Sequence, residues 1–343
     1  MREPAANPGQ SVASVLVYVG FDRVGDGLLK LPFVQGLRRA FPEARITWLA
    51  GREDSVYAGV MAGPVRGLID EIIENAGVGL SPMELLQGRP TGALAGRRFD
   101  LVIDTQRIFW TSLSLWRVPH RTFISPAARF LLSAKKPGPG YRFPKTMQRQ
   151  MLDLLELASG LDFPTPKALQ LEIDAELREA AARLLPEGHD YLGIAPGSGG
   201  PPKCWPLENF IAVARGRQAL GRTPVFLLGP KEAGWRDRIA KAVPKALFPL
   251  QDAATQRDFG FSPFLTIALA ARLGLALSND SGAGHMLAVG GAPVVILYGP
   301  TRPDKFQPMT ERLVTLHARE FGGSDMHRIP VAAVETALDK VRV

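Results

Sequence analysis

The stretch Asp280-Ser281-Gly282-Ala283-Gly284-His285 follows the apolar run 273–277 and precedes a helix-then-strand pattern ending in residues 294–298. It reads as a buried strand that ends at an acidic, hydroxylated, glycine-rich turn opening a helix. Backbone N–H groups at a helix start lack intrahelical partners and carry the positive end of the dipole. Such a turn can receive a phosphate, which points to a nucleotide diphosphate as ligand.

The pattern repeats outward from this turn. Residues 14–21 form a nearly continuous apolar strand, the turn 22–27 follows, and Leu28, Leu31, Val34 and Leu37 then recur along one helical face. A second apolar run, 46–49, completes a βαβ unit. Residues 69–73 and 99–104 read as further strands of the same parallel sheet, with a Gly/Pro-rich connection at 77–90. A helix over 151–160 and a proline-bearing link at 162–167 end this half. A second series has strands at 191–195, 225–228, 247–250, 273–277 and 294–298. The expectation is an α/β chain of two Rossmann-like halves: 1–165, 166–325, and a terminal helix in 326–343 that packs back across the domain interface.

With 343 residues, 46% hydrophobic and 22% charged, the chain can bury two cores. Its single cysteine, Cys204, excludes an internal disulfide framework and a multi-cysteine zinc site. His120, His189, His317 and His327 show no metal-ligand spacing, so no metal and no cofactor are expected. Residues 1–10 lack the apolar region of a secretory signal. The apolar run 265–277 is interrupted by Arg272 and falls short of the roughly 20 residues that span a bilayer. The expected location is cytoplasmic.

The formal charge of +8 is concentrated. Nine of the 41 Lys and Arg fall between Thr105 and Gln150, a stretch without Asp or Glu, so the remainder is near neutral. The same segment holds Phe109, Trp110, Trp116, Phe123, Phe130, Tyr141 and Phe143. This mixture suits an anionic amphiphile or a membrane surface, and Arg107, Arg117, Arg121 and Arg142 are the candidate contacts. A solvated loop whose arginines pair with acids elsewhere is the plainer reading. Nucleic acid is disfavoured, because no recognised binding motif accompanies the charge.

Five turns could carry chemistry. Gly25-Asp26-Gly27 places a carboxylate at the carboxyl end of the first strand, where Asp26 is either a general base or a helix N-cap. The spacing is not G-x-G-x-x-G, which disfavours a dinucleotide site. Gly197 and Ser198 begin a glycine loop that runs into Lys203, a cation able to neutralise a departing diphosphate or merely an exposed lysine. At the opening turn Asp280 caps the helix while Ser281 and the Gly282 amide face phosphate, and His285 is a phosphate donor or a core histidine. Glu232 follows another strand at a position fit to grip ribose hydroxyls, and Thr301 follows a later one. No G-x-S-x-G elbow is present.

Assembled, these residues resemble the bacterial lipopolysaccharide heptosyltransferases, the ninth glycosyltransferase family. The resemblance rests on Gly25-Asp26 with Leu31-Pro32, Pro196-Gly197 with Lys203-x-Trp205-Pro206, Leu228-Gly229-x-x-Glu232, Asn279-Asp280-Ser281-Gly282-x-x-His285, and Gly299-Pro300-Thr301. Gly27 stands where the family usually has an aliphatic residue, and 251–264 lacks the usual Gly-Lys-Thr-like turn. The resemblance implies a GT-B fold, two Rossmann-like domains facing across a central cleft. It implies metal-independent, inverting transfer of a heptose from an ADP-activated donor to a lipopolysaccharide core acceptor. Asp26 would be the base, Lys203 and Ser281-Gly282 would hold the diphosphate, and Glu232 the ribose. An anionic glycolipid acceptor gives the basic segment a purpose and implies peripheral contact with the inner-membrane surface. Two other readings stand beside it: a nucleotide-sugar-binding protein without transferase activity, and a member using a different sugar nucleotide.

Overall fold

The computed structural model of the chain describes residues 12–86 and 92–341. The readings of residues 1–10, of the last part of the 77–90 connection and of residues 342–343 lie outside the described residues. Two compact units are present. The first comprises Met1–Asp22, Lys30–Pro144 and Gln148–Thr165; the second comprises Arg23–Leu29, Lys145–Met147 and Pro166–Val343.

The first unit carries five parallel strands, β1 (Ser14–Val19), β2 (Arg45–Ala50), β3 (Glu71–Ile73), β4 (Phe99–Asp104) and β5 (His120–Ile124), in the order β3-β2-β1-β4-β5. Central β1 pairs on both sides, with Val15 opposite Ile46 and Leu101. Both of its faces are covered, so Val15 through Val19 are all buried and the strand reads as a continuous apolar run. Leu16, Tyr18, Leu49, Val102, Leu115 and Phe123 form one shared core.

In the second unit β6 (Tyr191–Ala195), β7 (Thr223–Phe226), β8 (Leu275–Asn279), β9 (Val294–Tyr298) and β10 (Leu313–His317) are ordered β10-β9-β8-β6-β7. Alternate strand residues face two layers. Leu192, Ile194, Leu275, Leu277, Val295 and Leu297 join helices Leu207–Ala219 and Val331–Val341, while Ala195, Val225, Ala276, Val294 and Ile296 join helices Pro263–Ala270 and Gly282–Val289. Strand order reverses between β6 and β8 here, and between β1 and β4 in the first sheet. Doubly wound sheets bind ligands outside the carboxyl ends of the strands at such reversals.

Several expectations need correction. The strand expected at 247–250 is a single bridge, Val225 to Leu247, followed by a 3-10 turn at Pro249–Gln251. Pro249 has no N–H to donate to a ladder. Strand β5 lies inside the basic segment, where its ends His120 and Arg121 hide the pattern. The helix expected after residue 27 begins at Val24, so Gly25, Asp26 and Gly27 sit in its first turn and Asp26 is not the N-cap. Finally, the terminal helix Val331–Val341 packs within the second unit. Its Val334, Ala337, Leu338 and Val341 enter the second unit's own core, because its apolar stripe matches the face exposed by β8, β9 and β10.

Arg217 fastens that helix. Its side chain is only 5% exposed, donates to Asp339 at 2.5 Å and to the Glu335 carbonyl at 2.7 Å, and pairs with the Glu335 carboxylate. Arg217→Ala is expected to lower unfolding free energy by roughly 2 kcal/mol, below a fully buried pair because Asp339 is largely exposed. Denaturant titration checks this; an unchanged midpoint would show the helix to be held by its apolar stripe alone.

Candidate active site

The carboxyl ends of β6, β7, β8 and β9 bring their turns together within the second unit. Lys203 Nζ lies 2.9 Å from Asp280 Oδ2, and the same oxygen accepts from Thr301 Oγ1 at 2.6 Å. The buried Asn279 side chain donates to the Pro196 carbonyl at 2.7 Å and accepts from Trp205 N–H at 3.1 Å, tying the β6 loop to β8 on both sides of Lys203. Asp280 therefore holds the lysine and the threonine instead of capping the helix, as its sequence position had suggested. Ser281 takes the N-cap position of Gly282–Val289 and makes no side-chain cap bond. No hydroxyl of its own occupies the first-turn amides, so they are left for an incoming anion.

Two glycines make room for Glu232. A Cβ on Gly197 would stand 2.6 Å from the Glu232 carboxyl carbon, and one on Gly229 would stand 2.9 Å from Oε2. Burial raises the Glu232 carboxyl above its usual range, with Lys231 opposing. Ser198 uses its hydroxyl within its own loop, donating to the Gly200 carbonyl at 2.7 Å beside Cys204 Sγ at 3.0 Å. Its part is to shape the loop.

Asp26 is half-buried in the first turn of helix Val24–Ala40, in the portion that belongs to the second unit. Its neighbour Gly25 is packed so that an added Cβ would meet His285 Cδ2 at 2.8 Å and Gly282 Cα at 3.3 Å. The carboxylate is thus adjacent in sequence to a residue in contact with the phosphate-type turn. Burial pushes the His285 imidazole down to about 4, Asp280 opposing and Lys203 adding. It is neutral at pH 7 and packs against Gly25.

The four candidate arginines separate. Arg107, beyond the carboxyl end of β4, stacks its guanidinium 3.8 Å from the Phe143 ring centroid. Arg142 lines a cavity of about 400 Å³ with Arg129, Lys136, Phe130, Tyr141 and Phe143. Ala128, Arg129 and Phe130 enter this cavity region through three successive left-handed conformations, with φ of 47°, 56° and 65°. Side chains rarely tolerate that region, so the turn is strained. Arg117 instead donates to the Glu84 carbonyl at 2.8 Å, and Arg121 lies 3.9 Å from Asp100 near the amino ends of β4 and β5. Arg117 thus ties the end of the segment 109–116 to the turn Pro82–Leu86, and Arg121 pairs across β4 and β5.

Sequence reading overlooked Asn279 as a brace and overlooked Asp104. The latter is fully buried at the end of β4, where it accepts from Ser112, from Ser125 Oγ at 2.9 Å and from Gln106 N–H at 2.8 Å. Ser125 Oγ also accepts from Ala127 N–H at 3.2 Å, so the carboxyl anchors the strained turn. Burial raises Asp104 to about 6. An Asp closing an apolar strand was the available signal.

A family model described as glycosyltransferase family 9 (heptosyltransferase) matches residues 89–329. The chain belongs to glycosyltransferase family 9. This family 9 chain is 23% identical over 312 residues to lipopolysaccharide heptosyltransferase 2 of Salmonella typhimurium, covering 87% of this chain and 86% of that protein. The crystal structure of a family 9 glycosyl transferase from Veillonella parvula superposes with a TM-score of 0.67 at 23% identity, covering 97% of both chains. Escherichia coli ADP-heptose lps heptosyltransferase II gives 0.62 at 20%, covering 96% and 98%. The fold is GT-B, α/β with two Rossmann-like units.

Gly25→Ala is expected to cut turnover at least tenfold, since the buried imidazole cannot yield about half an ångström without moving the helix start. Steady-state assay checks it, and wild-type kinetics in the variant would show the contact to be slack. A second expectation concerns pH. The unfolded chain protonates His285 near pH 6.5 and the folded chain only near 4, so this group's stabilisation is full above 6.5 and lost as pH falls. Asp104 acts oppositely: the folded chain keeps its proton up to about pH 6 against 3.8 unfolded, so its contribution is lost as pH rises through that window. Urea midpoints across this range should be less acid-sensitive in His285→Gln than in wild type, and more acid-sensitive in Asp104→Asn.

Proposed function

We propose that this family 9 glycosyltransferase moves a heptose, with inversion and without a metal ion, from ADP-heptose to the core of lipopolysaccharide. The observation that carries the reading is the single cluster of Lys203, Asp280, Thr301, the Ser281-Gly282 helix start and Glu232 at the strand-order reversal of the second sheet. Residues 166–325 form the donor half and 1–165 the acceptor half. The name of the Escherichia coli relative supplies ADP-heptose as the donor class.

In this reading the first-turn amides of Gly282–Val289 and the Lys203 ammonium receive the diphosphate, and Glu232 accepts hydrogen bonds from the ribose hydroxyls. Asp280 accepts from Lys203 and Thr301, so the ammonium is aimed before the donor arrives. Asp26 takes the proton from the acceptor hydroxyl as its oxygen attacks the anomeric carbon from the face opposite the diphosphate. The C–O bond to the diphosphate breaks, configuration inverts, and ADP leaves with the electron pair. Negative charge building on it meets a preorganised cation and helix terminus, which cost no reorganisation at that moment. Arg107, Arg142, Arg129 and Lys136 meet the acidic groups of the acceptor, and the protein touches the inner-membrane surface that presents it.

Asp26→Asn should lower ADP release from ADP-heptose and a core acceptor by roughly 10²–10⁴-fold while donor affinity is kept. ADP quantitation together with titration calorimetry checks both. A variant at full rate removes Asp26 as base. Tight donor binding by the wild type with no turnover on any acidic glycolipid would favour a binding protein instead.

A further inference from the structure

Helix Phe109–Trp116 in the first unit, sequence FWTSLSLW, is folded with Leu115 and its three hydroxyl side chains inward. Thr111 donates to the Gly79 carbonyl at 2.7 Å, Ser112 donates to the Asp104 carboxyl, and Ser114 is buried. Outward, Trp110, Leu113 and Trp116 follow one another at i, i+3 and i+6, a single face of the helix. Trp110 is 49% and Trp116 48% exposed. A helix in water ordinarily shows the reverse arrangement, and an outward aromatic stripe marks a surface that something apolar covers.

The neighbours extend the patch. The helix packs beside the 3-10 turns Pro82–Leu86 and Ala127–Arg129. Met83 and Leu86 are exposed on the first turn, and Leu131 is exposed just after the second. Glu84, the acid of the first turn, points away from a surface role, accepting from the amides of Gly79, Leu80 and Ser81 at 2.7, 2.7 and 3.0 Å. Arg129, exposed in the second of these turns, borders this apolar zone, and Arg107 and Arg117 flank the helix in sequence. Indole rings favour the boundary between headgroups and hydrocarbon, and clustered Lys and Arg favour a negatively charged lipid surface.

We propose that the face carrying Trp110, Leu113 and Trp116, with Met83, Leu86 and Leu131 beside it, is a docking surface for an anionic lipid bilayer. The proposal deepens the membrane contact in the functional reading above by assigning it to residues outside the donor and acceptor groups. Depth is limited to the interfacial layer, because no helix among the described residues is long and apolar enough to cross a membrane.

Full-length protein is sedimented with vesicles of phosphatidylethanolamine and phosphatidylglycerol, and separately with phosphatidylcholine vesicles, in the absence of donor and acceptor. The expected result is co-sedimentation with the anionic vesicles, a blue shift of tryptophan emission, and weakening at high salt. Trp110→Ser/Trp116→Ser should lower partitioning by about tenfold or more, the change given by leaving part of an aromatic ring in water, while Trp110→Phe/Trp116→Phe keeps most of it. Both variants should retain wild-type nucleotide binding, which reports an intact second unit. Wild-type protein remaining in the supernatant, equal binding by the serine variant, or conversion of a dimer to monomer by that variant each overturns the assignment, the last by making the face a self-association surface. Vesicle binding is read without turnover, so its outcome is separable from failure of the transferase reading.

Discussion

The side chain of Asn279 is the contact on which the candidate site depends. Buried at the end of β8, it spends its donor on Pro196 and its acceptor on Trp205, the two ends of a loop rich in glycine. Without that double tie the loop would be free to wander, and Lys203 could not be held at Asp280. Trp205 extends the brace, donating its indole N–H to the Ile329 carbonyl at 2.9 Å and packing against Phe210. One amide thus connects the strand reversal, the cationic loop and the segment leading to the last helix.

The elements that could be read from sequence were those whose pattern is set by burial on both faces. Strands β1, β6 and β9 are nearly continuous apolar runs, and β4 carries Leu101–Ile103 between two aspartates, because parallel strands between two helical layers have no wet side. Strand β5 escaped because its first residues, His120 and Arg121, lie at the open edge of the sheet. The false strand at 247–250 had the right composition, and only its proline argued against pairing. In the site, Gly197, Glu232, Ser281 and Thr301 were legible as turn residues after strands. Their division of labour was not: Asp280 looked like a cap, yet in three dimensions a lysine 77 positions away claims it. Charge pairing at long range leaves no local trace. The arginines of the basic segment illustrate the same limit, since Arg107 and Arg121 share a composition but lie at opposite ends of their strands.

The first unit shows how a buried acid organises a surface. Asp104 collects hydroxyl donors from Ser112 and Ser125, and through them fixes both the aromatic helix and the left-handed turn at Ala128–Phe130. A second buried acid, Asp22, is satisfied by Lys30, by Trp48 Nε1 at 2.7 Å and by Ser55 at 3.0 Å. Asp104 ends β4 and Asp22 lies just beyond β1, the two strands at the reversal of the first sheet, where an apolar side chain would leave their buried donors without acceptors.

The placement of the final helix has a consequence for biosynthesis. Val334, Leu338 and Val341 complete one layer of the second unit's core, and that layer also contains residues from β6 onward. A nascent chain emerging from the ribosome can close the first sheet while translation continues, since its strands end at Ile124. The second unit keeps one side of its sheet uncovered until that helix has been released.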